Sequence, residues 1–92
     1  MILSFACVDT QALFSGKKSK RFVNIRSVAE RKLQQLDSAA TLEFLRSPPG
    51  NCLEALIKDR AGQHSIRVND QWRVCFVWTA KGPSEVEIVD YH

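Results

Sequence analysis

The sequence has few residues that could bind a structural metal or build a network of disulfides. Its three cysteines, Cys7, Cys52 and Cys75, are an odd number, lie far apart, and form no Cys-x-x-Cys or Cys/His pair at ligand spacing. We therefore expect reduced thiols that pack as small apolar side chains. No metal site, redox chemistry or cofactor is predicted.

Long hydrophobic runs are also lacking. No segment approaches the roughly 18 apolar residues that cross a bilayer, and the opening Met-Ile-Leu-Ser-Phe-Ala-Cys has neither the basic start nor the long apolar stretch of a signal peptide. The 92 residues are 45% hydrophobic and 25% charged, which suits one core and is too short for two. We expect one soluble domain over residues 1–92, in the cytoplasm and without a membrane partner.

The chain is mildly basic, with a net charge of +3, and the placement of its cations is more informative than their number. Lys17, Lys18, Lys20 and Arg21 fall within five residues. Such a run is typical of a solvated linker, but together with the arginines of the last third it could also form a track for phosphates.

Two apolar patterns near the start of the chain predict short elements. Residues 2–5 suggest a short strand. Asp9 is placed to act as the N-cap of a helix over residues 10–14, and Gly16 is placed to end it in a left-handed conformation.

An amphipathic helix and a shorter one should follow. Apolar residues recur at steps of three and four over residues 23–36. Ser38 or Thr41 can then cap a short helix, which Pro48 and Pro49 end because neither proline supplies an N–H.

From residue 52 the periodicity changes to that of strands. A first strand would begin at Cys52 and end before the turn Ala61-Gly62. Three antiparallel strands would follow between residues 60 and 92, the last two separated by Lys81-Gly82-Pro83-Ser84. Helices followed by such a meander predict an α+β fold, with the helices on one face of a small, mainly antiparallel sheet.

Alternation across the strands separates two kinds of side chain. The apolar set comprises His64, Ile66, Val68, Trp72, Val74, Phe76, Trp78, Val86 and Ile88. The opposite set includes Arg67, Arg73 and Tyr91. Two arginines beside an aromatic ring are typical of a cleft floor, so we expect this face to hold the site, with Asp90 and His92 at the strand end.

These residue types suit the cleavage of a phosphodiester. Arg67 and Arg73 can clamp a phosphate with their guanidinium forks. Asp90 and His92 can transfer protons, and Tyr91 can stack on a base. None of these roles needs a metal.

Each of these residues also has a plainer interpretation. His92 could be part of a disordered terminus, and Asp90 could be an ordinary carboxylate at a strand end. Arg73 could pair with Glu87 across the sheet. His64, on the apolar face, is typical of a core or strand-edge histidine.

Two segments carry a resemblance to a known family. They are Arg-Ala-Gly-Gln-His-Ser-Ile-Arg-Val-Asn-Asp-Gln-Trp-Arg-Val-Cys-Phe at residues 60–76 and the ending Val-Glu-Ile-Val-Asp-Tyr-His. In the order of their motifs and the number of residues between them, these segments resemble the HigB branch of the RelE/ParE toxin superfamily. The resemblance extends from the N-terminal Ile-x-Ser-Phe through Ser-Pro-Pro-Gly-Asn to the last residue.

The resemblance implies a RelE-like toxin of a type II toxin–antitoxin system that cuts mRNA in the ribosomal A site without a metal. It further implies a helix-turn-helix antitoxin like HigA, whose complex with the toxin represses their operon, so that operator DNA is contacted only through that complex. By the resemblance Asp90, Tyr91 and His92 match the catalytic ending, and Arg67 and Arg73 match the strand arginines.

Glu54 is where this chain departs from the pattern, because some relatives have an active-site histidine there. Glu54 could serve as an alternative base, or the enzyme could be slower, with Lys58 and Arg60 partly offsetting the added negative charge. Two other functions stay open: a ParE-like toxin that binds DNA gyrase without nuclease chemistry, and a catalytically weak co-repressor that binds the antitoxin. A binding toxin would not need the terminal acid–base cluster, and only Glu54 supports the co-repressor.

Overall fold

The computed structural model describes residues 1–47 and 49–90. Over these residues it contains two α-helices, α1 (Val8–Phe14) and α2 (Arg26–Ser38), and four strands, β1 (Glu54–Ala55), β2 (His64–Arg67), β3 (Trp72–Thr79) and β4 (Gly82–Asp90). Short 3-10 turns occur at Glu43–Arg46, Pro49–Asn51 and Lys58–Arg60. The strands form one antiparallel sheet in the order β1-β2-β3-β4. The predicted α+β fold is confirmed.

The core lies between the two helices and one face of the sheet. Ile66, Val74 and Ile88 are cross-strand partners and are fully or almost fully buried. From α2, Leu33 and Leu36 pack into the same cluster without solvent exposure. The apolar face predicted from alternation is therefore the face that the helices cover.

Both helices begin at other residues than predicted. Helix α1 starts at Val8, so Asp9 lies in its first turn and is not the N-cap; a carboxylate there still interacts favourably with the helix dipole. Gly16 has φ 84°, which confirms the left-handed end. Helix α2 starts at Arg26 because the chain just before it forms a turn, in which the N–H of Ile25 bonds to the carbonyl of Phe22 at 3.1 Å.

The short helix after α2 is the 3-10 turn Glu43–Arg46. Of the two candidate caps, Thr41 is the one used, since its hydroxyl accepts the N–H of Phe44 at 3.2 Å. Pro49 begins the next turn, and Pro48 lies outside the described residues.

The strand predicted from Cys52 is reduced to the two residues of β1. Cys52 and Lys58 have φ of 45° and 58°, a left-handed conformation that interrupts regular strand geometry on either side of β1. The predicted break between the last two strands, Lys81-Gly82-Pro83-Ser84, is also wrong for its last three residues, because β4 already begins at Gly82. The irregularity lies instead between Cys75 and Val77, opposite the left-handed Glu85 at φ 54°, as expected of a β-bulge.

The N-terminal segment lies along the outer edge of β4. It forms an isolated parallel bridge between Phe5 and Val86, so the predicted strand over residues 2–5 is wrong as a strand. Leu3 donates to the carbonyl of Pro83 at 2.8 Å, and Val86 donates to the carbonyl of Ser4 at 3.1 Å. The edge of β4 is thereby covered.

Within residues 1–47 and 49–90, neither helix has the length and apolar character that crossing a membrane requires. The three cysteines, all of them described, remain thiols; the expected packing as a small buried side chain holds for Cys75 and is wrong for Cys52, which is exposed.

Candidate functional site

The face of the sheet opposite the helices is lined by charged and polar side chains and is called the charged face below. It is formed by Glu54, Ser65, Arg67, Arg73, Cys75, Glu87 and Val89, which the strand register places side by side. The prediction that Arg67 and Arg73 share this face is confirmed, since they are direct cross-strand partners.

Arg73 is held in place on the charged face by several acceptors. Its Nε donates to the Ser65 hydroxyl at 2.7 Å, and its Nη2 donates to the carbonyl oxygen of Cys52 at 2.6 Å. Its side chain is only 12% exposed, and Ser65 beneath it is fully buried. The guanidinium is therefore oriented before any ligand arrives.

Glu54 contributes a carboxylate to the same place. Its Oε1 lies 3.9 Å from Nε of Arg73, and half of its side chain is exposed. The departure noted in the sequence therefore falls at the arginine pair itself.

Arg67 and helix α2 add positive charge beside Arg73. Arg67 pairs with Asp70, three residues along the chain. Lys32 of α2 donates to the side chain of Asn51. Burial lowers the pKa of Lys32, and the nearby charges of Arg31 and Arg67 lower it further.

A second ion pair lies over the buried thiol of Cys75. Arg60 donates to Glu87 at 2.9 Å and to Gln63 at 3.0 Å. The alternative in which Arg73 pairs with Glu87 is wrong, because the register places Arg73 opposite Val89. Part of the positive charge expected from Arg60 is thus neutralised within the chain.

Asp90 is not among the residues that the register places on the charged face. It is exposed at the end of β4, where the core ends as predicted, but its cross-strand partner is Trp72, so it belongs to the helix-covered face. Its Oδ2 accepts from the side chain of Gln71 at 3.1 Å. Tyr91 and His92, the other two residues of the predicted catalytic ending, lie outside the described residues.

The basic segment at residues 17–21, like Asp90, lies near Trp72. The guanidinium of Arg21 lies 5.8 Å from the centre of the Trp72 ring and 5.2 Å from that of Phe22, and its Nη1 is 3.8 Å from Asp9. Lys17, Lys18 and Lys20 are exposed. This segment therefore lies on the other side of the sheet from Arg67 and Arg73.

Lys58 and His64 are two further residues that were considered in the sequence. Lys58 is exposed and begins the 3-10 turn that carries Arg60. His64 stacks on Phe76 with ring centres 6.3 Å apart, and its Nδ1 is buried. The interpretation of His64 as a core or strand-edge histidine is confirmed.

The family follows from comparison with known proteins. The model of the HigB-like toxin family, described as RelE-like toxins of type II toxin–antitoxin systems, matches residues 10–92. Toxin HigB-1 of Vibrio cholerae is 38% identical over 80 residues, which cover 85% of this chain and 84% of that toxin. The chain belongs to the HigB-like toxin family.

Another relative of this HigB-like toxin is an uncharacterized protein of Haemophilus influenzae. It is 40% identical over 63 residues, which cover 68% of this chain and 62% of the relative. The family match includes Glu54, the arginine pair and the chain end, so the charged face lies inside the shared domain. As a toxin of a toxin–antitoxin system, the protein has an antitoxin as its partner.

The residues that support the arginine pair were not among those predicted from the sequence. Ser65 and Asn51 are fully buried polar side chains, and Lys32 occupies a core-facing position of α2. A lysine within the apolar periodicity of a helix was the available signal for Lys32. No signal was available for the Cys52 carbonyl, because its role depends on a backbone conformation.

The described residues offer no group of three His, Cys, Asp or Glu side chains that could hold a metal ion. What the charged face does offer is a fixed guanidinium, a second arginine beside it and a half-exposed carboxylate. This set can bind a phosphate group and accept a proton next to it.

Proposed function

We propose that this HigB-like toxin is a ribosome-dependent mRNA endonuclease that cuts mRNA in the A site and thereby stops translation and growth. The observation that supports it most strongly is the pairing of Arg67 with Arg73 across β2 and β3, with the Glu54 carboxylate 3.9 Å from Arg73. Membership of the HigB-like toxin family supports it independently. The ribosome as target sets the site of action in the cytoplasm.

The chemistry would be attack by the 2′-OH on the adjacent phosphate. The O2′–P bond forms, the P–O5′ bond breaks, and the products are a 2′,3′-cyclic phosphate and a 5′-OH end. Arg73 and Arg67 stabilise the negative charge that develops on the phosphorane oxygens, where a preorganised donor is more effective than water. No step in this sequence calls for a metal ion.

Glu54 is the better placed of the two candidate bases. It lies on the charged face beside Arg73, whereas Asp90 is aligned with Trp72 and accepts from Gln71. In the proposed mechanism Glu54 takes the 2′-OH proton and His92 supplies the proton to the leaving oxygen. Tyr91 stacks on a base, and Asp90 is the alternative general base.

The remaining cations would bind the mRNA and rRNA backbone. Lys58 and Arg60 lie on the turn next to the charged face, and Lys17, Lys18, Lys20 and Arg21 extend the positive surface on the other side of the sheet. Contacts of this kind neutralise phosphates and carry no sequence information.

The proposed dependence on the ribosome has a physical reason, since carboxylates in general are weak bases for removing a proton from a hydroxyl group. Slow proton removal can be offset if the mRNA is held with its 2′-OH in line with the phosphate. Positioning of this kind is worth as much as ~7–11 kcal/mol in favourable systems. The A site would present the mRNA in that geometry.

The partner that inhibits the toxin would be a HigA-like helix-turn-helix antitoxin. In this proposal the toxin contacts operator DNA only through the antitoxin complex. The charged face of the toxin would then bind RNA, while the DNA-reading helix of the antitoxin would bind operator DNA.

The test compares purified toxin on free mRNA and on programmed 70S ribosomes, each with and without EDTA. We expect cleavage on ribosomes to be orders of magnitude faster than on free RNA and to leave cyclic phosphate ends. The rate on ribosomes should be the same with and without EDTA, in a buffer where polyamines keep the ribosomes intact. Equal rates on free RNA would contradict ribosome dependence. Inhibition of DNA gyrase with no cleavage on ribosomes would replace the proposal by the gyrase-binding function.

A further inference from the structure

The turn that precedes β1 contains a fully buried polar residue whose contacts are unusually complete. Asn51 has no solvent exposure. Its Nδ2 donates to the carbonyl oxygen of Leu45 at 3.1 Å and to Gln35 of α2 at 3.2 Å, while its Oδ1 accepts from Lys32. Both N–H groups and the oxygen of the amide thus have partners, which is what the burial of an amide requires.

The residue that follows is held in a strained conformation. Cys52 has φ 45°, a left-handed conformation that costs a side chain without special contacts about 1–3 kcal/mol and persists only where the surroundings enforce it. Asn51 is the adjacent residue whose side chain is fixed to α2 and to the preceding 3-10 turn. The contacts of Asn51 therefore fix the residue directly before Cys52 and limit the conformations open to the Cys52 backbone.

The strained conformation directs the Cys52 carbonyl oxygen at Arg73. The Nη2 of Arg73 donates to it at 2.6 Å, while the other end of the guanidinium is held by the Ser65 hydroxyl through Nε at 2.7 Å. Ser65 lies on β2 and Cys52 on the turn, so the plane of the guanidinium is set by two separate parts of the chain. The same Nη2 also donates to the Ser65 carbonyl oxygen at 3.4 Å, so movement of the turn would remove its shorter contact, the one with Cys52.

We propose that Asn51 is a positioning residue for Arg73, which it orients through the carbonyl oxygen of Cys52. The inference rests on the proposed function of Arg73 in cleavage. Asn51 itself is too buried to contact RNA. Its effect would therefore appear in the rate of the chemical step and not in the affinity for the ribosome.

The first measurement is single-turnover cleavage on programmed ribosomes by Asn51→Ala and by a matched control, Val86→Ala, which removes a fully buried side chain on the helix-covered face. We expect Asn51→Ala to lower the rate at saturating ribosomes by roughly tenfold to a hundredfold, the loss that small misplacement of a reacting group causes. The half-saturating ribosome concentration should change by less than about threefold, since uniform binding is not removed. Val86→Ala should keep the wild-type rate at a temperature where both variants are folded.

A double variant distinguishes positioning from a general loosening of the fold. In an Arg73→Lys background the guanidinium that Cys52 holds is absent, so Asn51→Ala should slow cleavage by less than about threefold further. A full additional loss would show that Asn51 acts independently of Arg73 and would overturn the inference. Gln35→Ala, which removes only one contact of the Asn51 amide, should give a smaller loss of the same kind and serves if Asn51→Ala does not fold.

The last measurement needs no activity. The Nη2–H signal of Arg73 in 15N NMR, assigned with Arg73→Lys, should be distinct and slowly exchanging in the wild type because this group donates to the Cys52 carbonyl oxygen. In Asn51→Ala and Gln35→Ala it should shift and exchange faster, while in Val86→Ala it should not. An unchanged signal in both Asn51→Ala and Gln35→Ala would overturn the positioning role, whereas a changed signal in a toxin that never cuts mRNA would refute the proposed function alone.

Discussion

Arg67 and Arg73 lie directly opposite each other on neighbouring antiparallel strands. Like charges in this relationship destabilise a sheet, and here Asp70 and Glu54 offset only part of the repulsion. The arginine pair therefore lowers the stability of the fold, which a role in function would explain.

Replacing one of these arginines should separate stability from activity. We expect Arg67→Thr to raise the free energy of unfolding by about 0.5 kcal/mol, since it removes the repulsion and adds a residue with high strand propensity, while it slows cleavage on ribosomes. Urea denaturation and single-turnover assays measure the two effects. A destabilised variant that keeps full activity would show that Arg67 is structural.

Replacing Arg73 should lower both stability and activity, whereas replacing Trp72 on the opposite face should lower mainly stability. We expect Arg73→Ala to reduce transition-state stabilisation by ~2–4 kcal/mol. It should also cost about 1–3 kcal/mol of stability, because the buried Ser65 hydroxyl loses its partner. An arginine on a polar face would suggest little loss of stability from sequence alone, and the contacts with Ser65 and Cys52 change that expectation.

Trp72→Ala is the comparison for Arg73→Ala. Trp72 packs edge-on against Phe22 with ring centres 5.6 Å apart, so its loss should cost ~3–5 kcal/mol of stability. Its effect on the rate should be small at temperatures where the variant is folded. A rate loss equal to that of Arg73→Ala in folded Trp72→Ala would indicate that the two faces of β3 are not functionally separate.

The two candidate bases can be separated by isosteric amides. Glu54→Gln should slow cleavage by roughly a hundredfold to ten-thousandfold if Glu54 removes the proton, and Asp90→Asn should slow it less. Both side chains are exposed enough that circular dichroism and the unfolding midpoint should hardly change. The reverse order of rates would assign the base to Asp90.

Lys58 allows its charge to be tested separately from its backbone conformation. Because φ at Lys58 is 58°, Lys58→Gly should raise stability by about 0.5–1 kcal/mol, once the greater entropy of unfolded glycine is subtracted from the relieved strain. Lys58→Ala removes the same charge but keeps the strain. Equal cleavage rates for the two variants, both below the wild type, would locate the effect in the charge.

The buried thiol predicts a loss of stability at alkaline pH. Burial raises the pKa of Cys75 above its ordinary value of 9.0, and the surrounding charges of Arg60, Glu87, Arg73 and Glu54 are smaller causes of either sign. Above pH 9.0 the unfolded thiol therefore releases its proton while the folded one retains it.

The sign of this effect follows from proton counting. The folded state binds more protons than the unfolded state in that range, so the free energy of unfolding should fall as pH rises, by at most ~1.4 kcal/mol per pH unit for one group. Lys32, whose pKa is lowered, contributes with the opposite sign over the range below its ordinary value of 10.5. Cys75→Ala should therefore flatten the decline measured by denaturant titration between pH 8 and about 10, and an unchanged slope would contradict the assignment.

The strand faces could be predicted because alternation depends only on neighbouring residues. Ile66, Val74 and Ile88 faced the core as expected, and Arg67 and Arg73 faced away from it. Boundaries were less predictable where tertiary contacts override local preference. Gly82 and Pro83 look like a turn in sequence but belong to β4, where a side chain at residue 82 would come within 2.5 Å of the Met1 carbonyl oxygen.

The site was predictable in its residue types but not in its arrangement. Asp90 was grouped with the arginines because it ends the last predicted strand and matches the family's catalytic ending, yet the register assigns Asp90 to the Trp72 side. The support of Arg73 by Cys52 depends on a contact between residues 21 positions apart. Neither propensity nor periodicity contains that information.

The attachment of the N-terminal segment to β4 also has a consequence for synthesis of the toxin. Ser4 accepts from the backbone of Glu85, 81 residues later, and Thr10 of α1 accepts from that of Ile88, 78 residues later. Because β4 follows every other described element in the chain, these bonds cannot form until β4 has been translated, and α1 cannot make its contacts with β4 before then. A growing chain therefore cannot complete this fold until β4 has been synthesised.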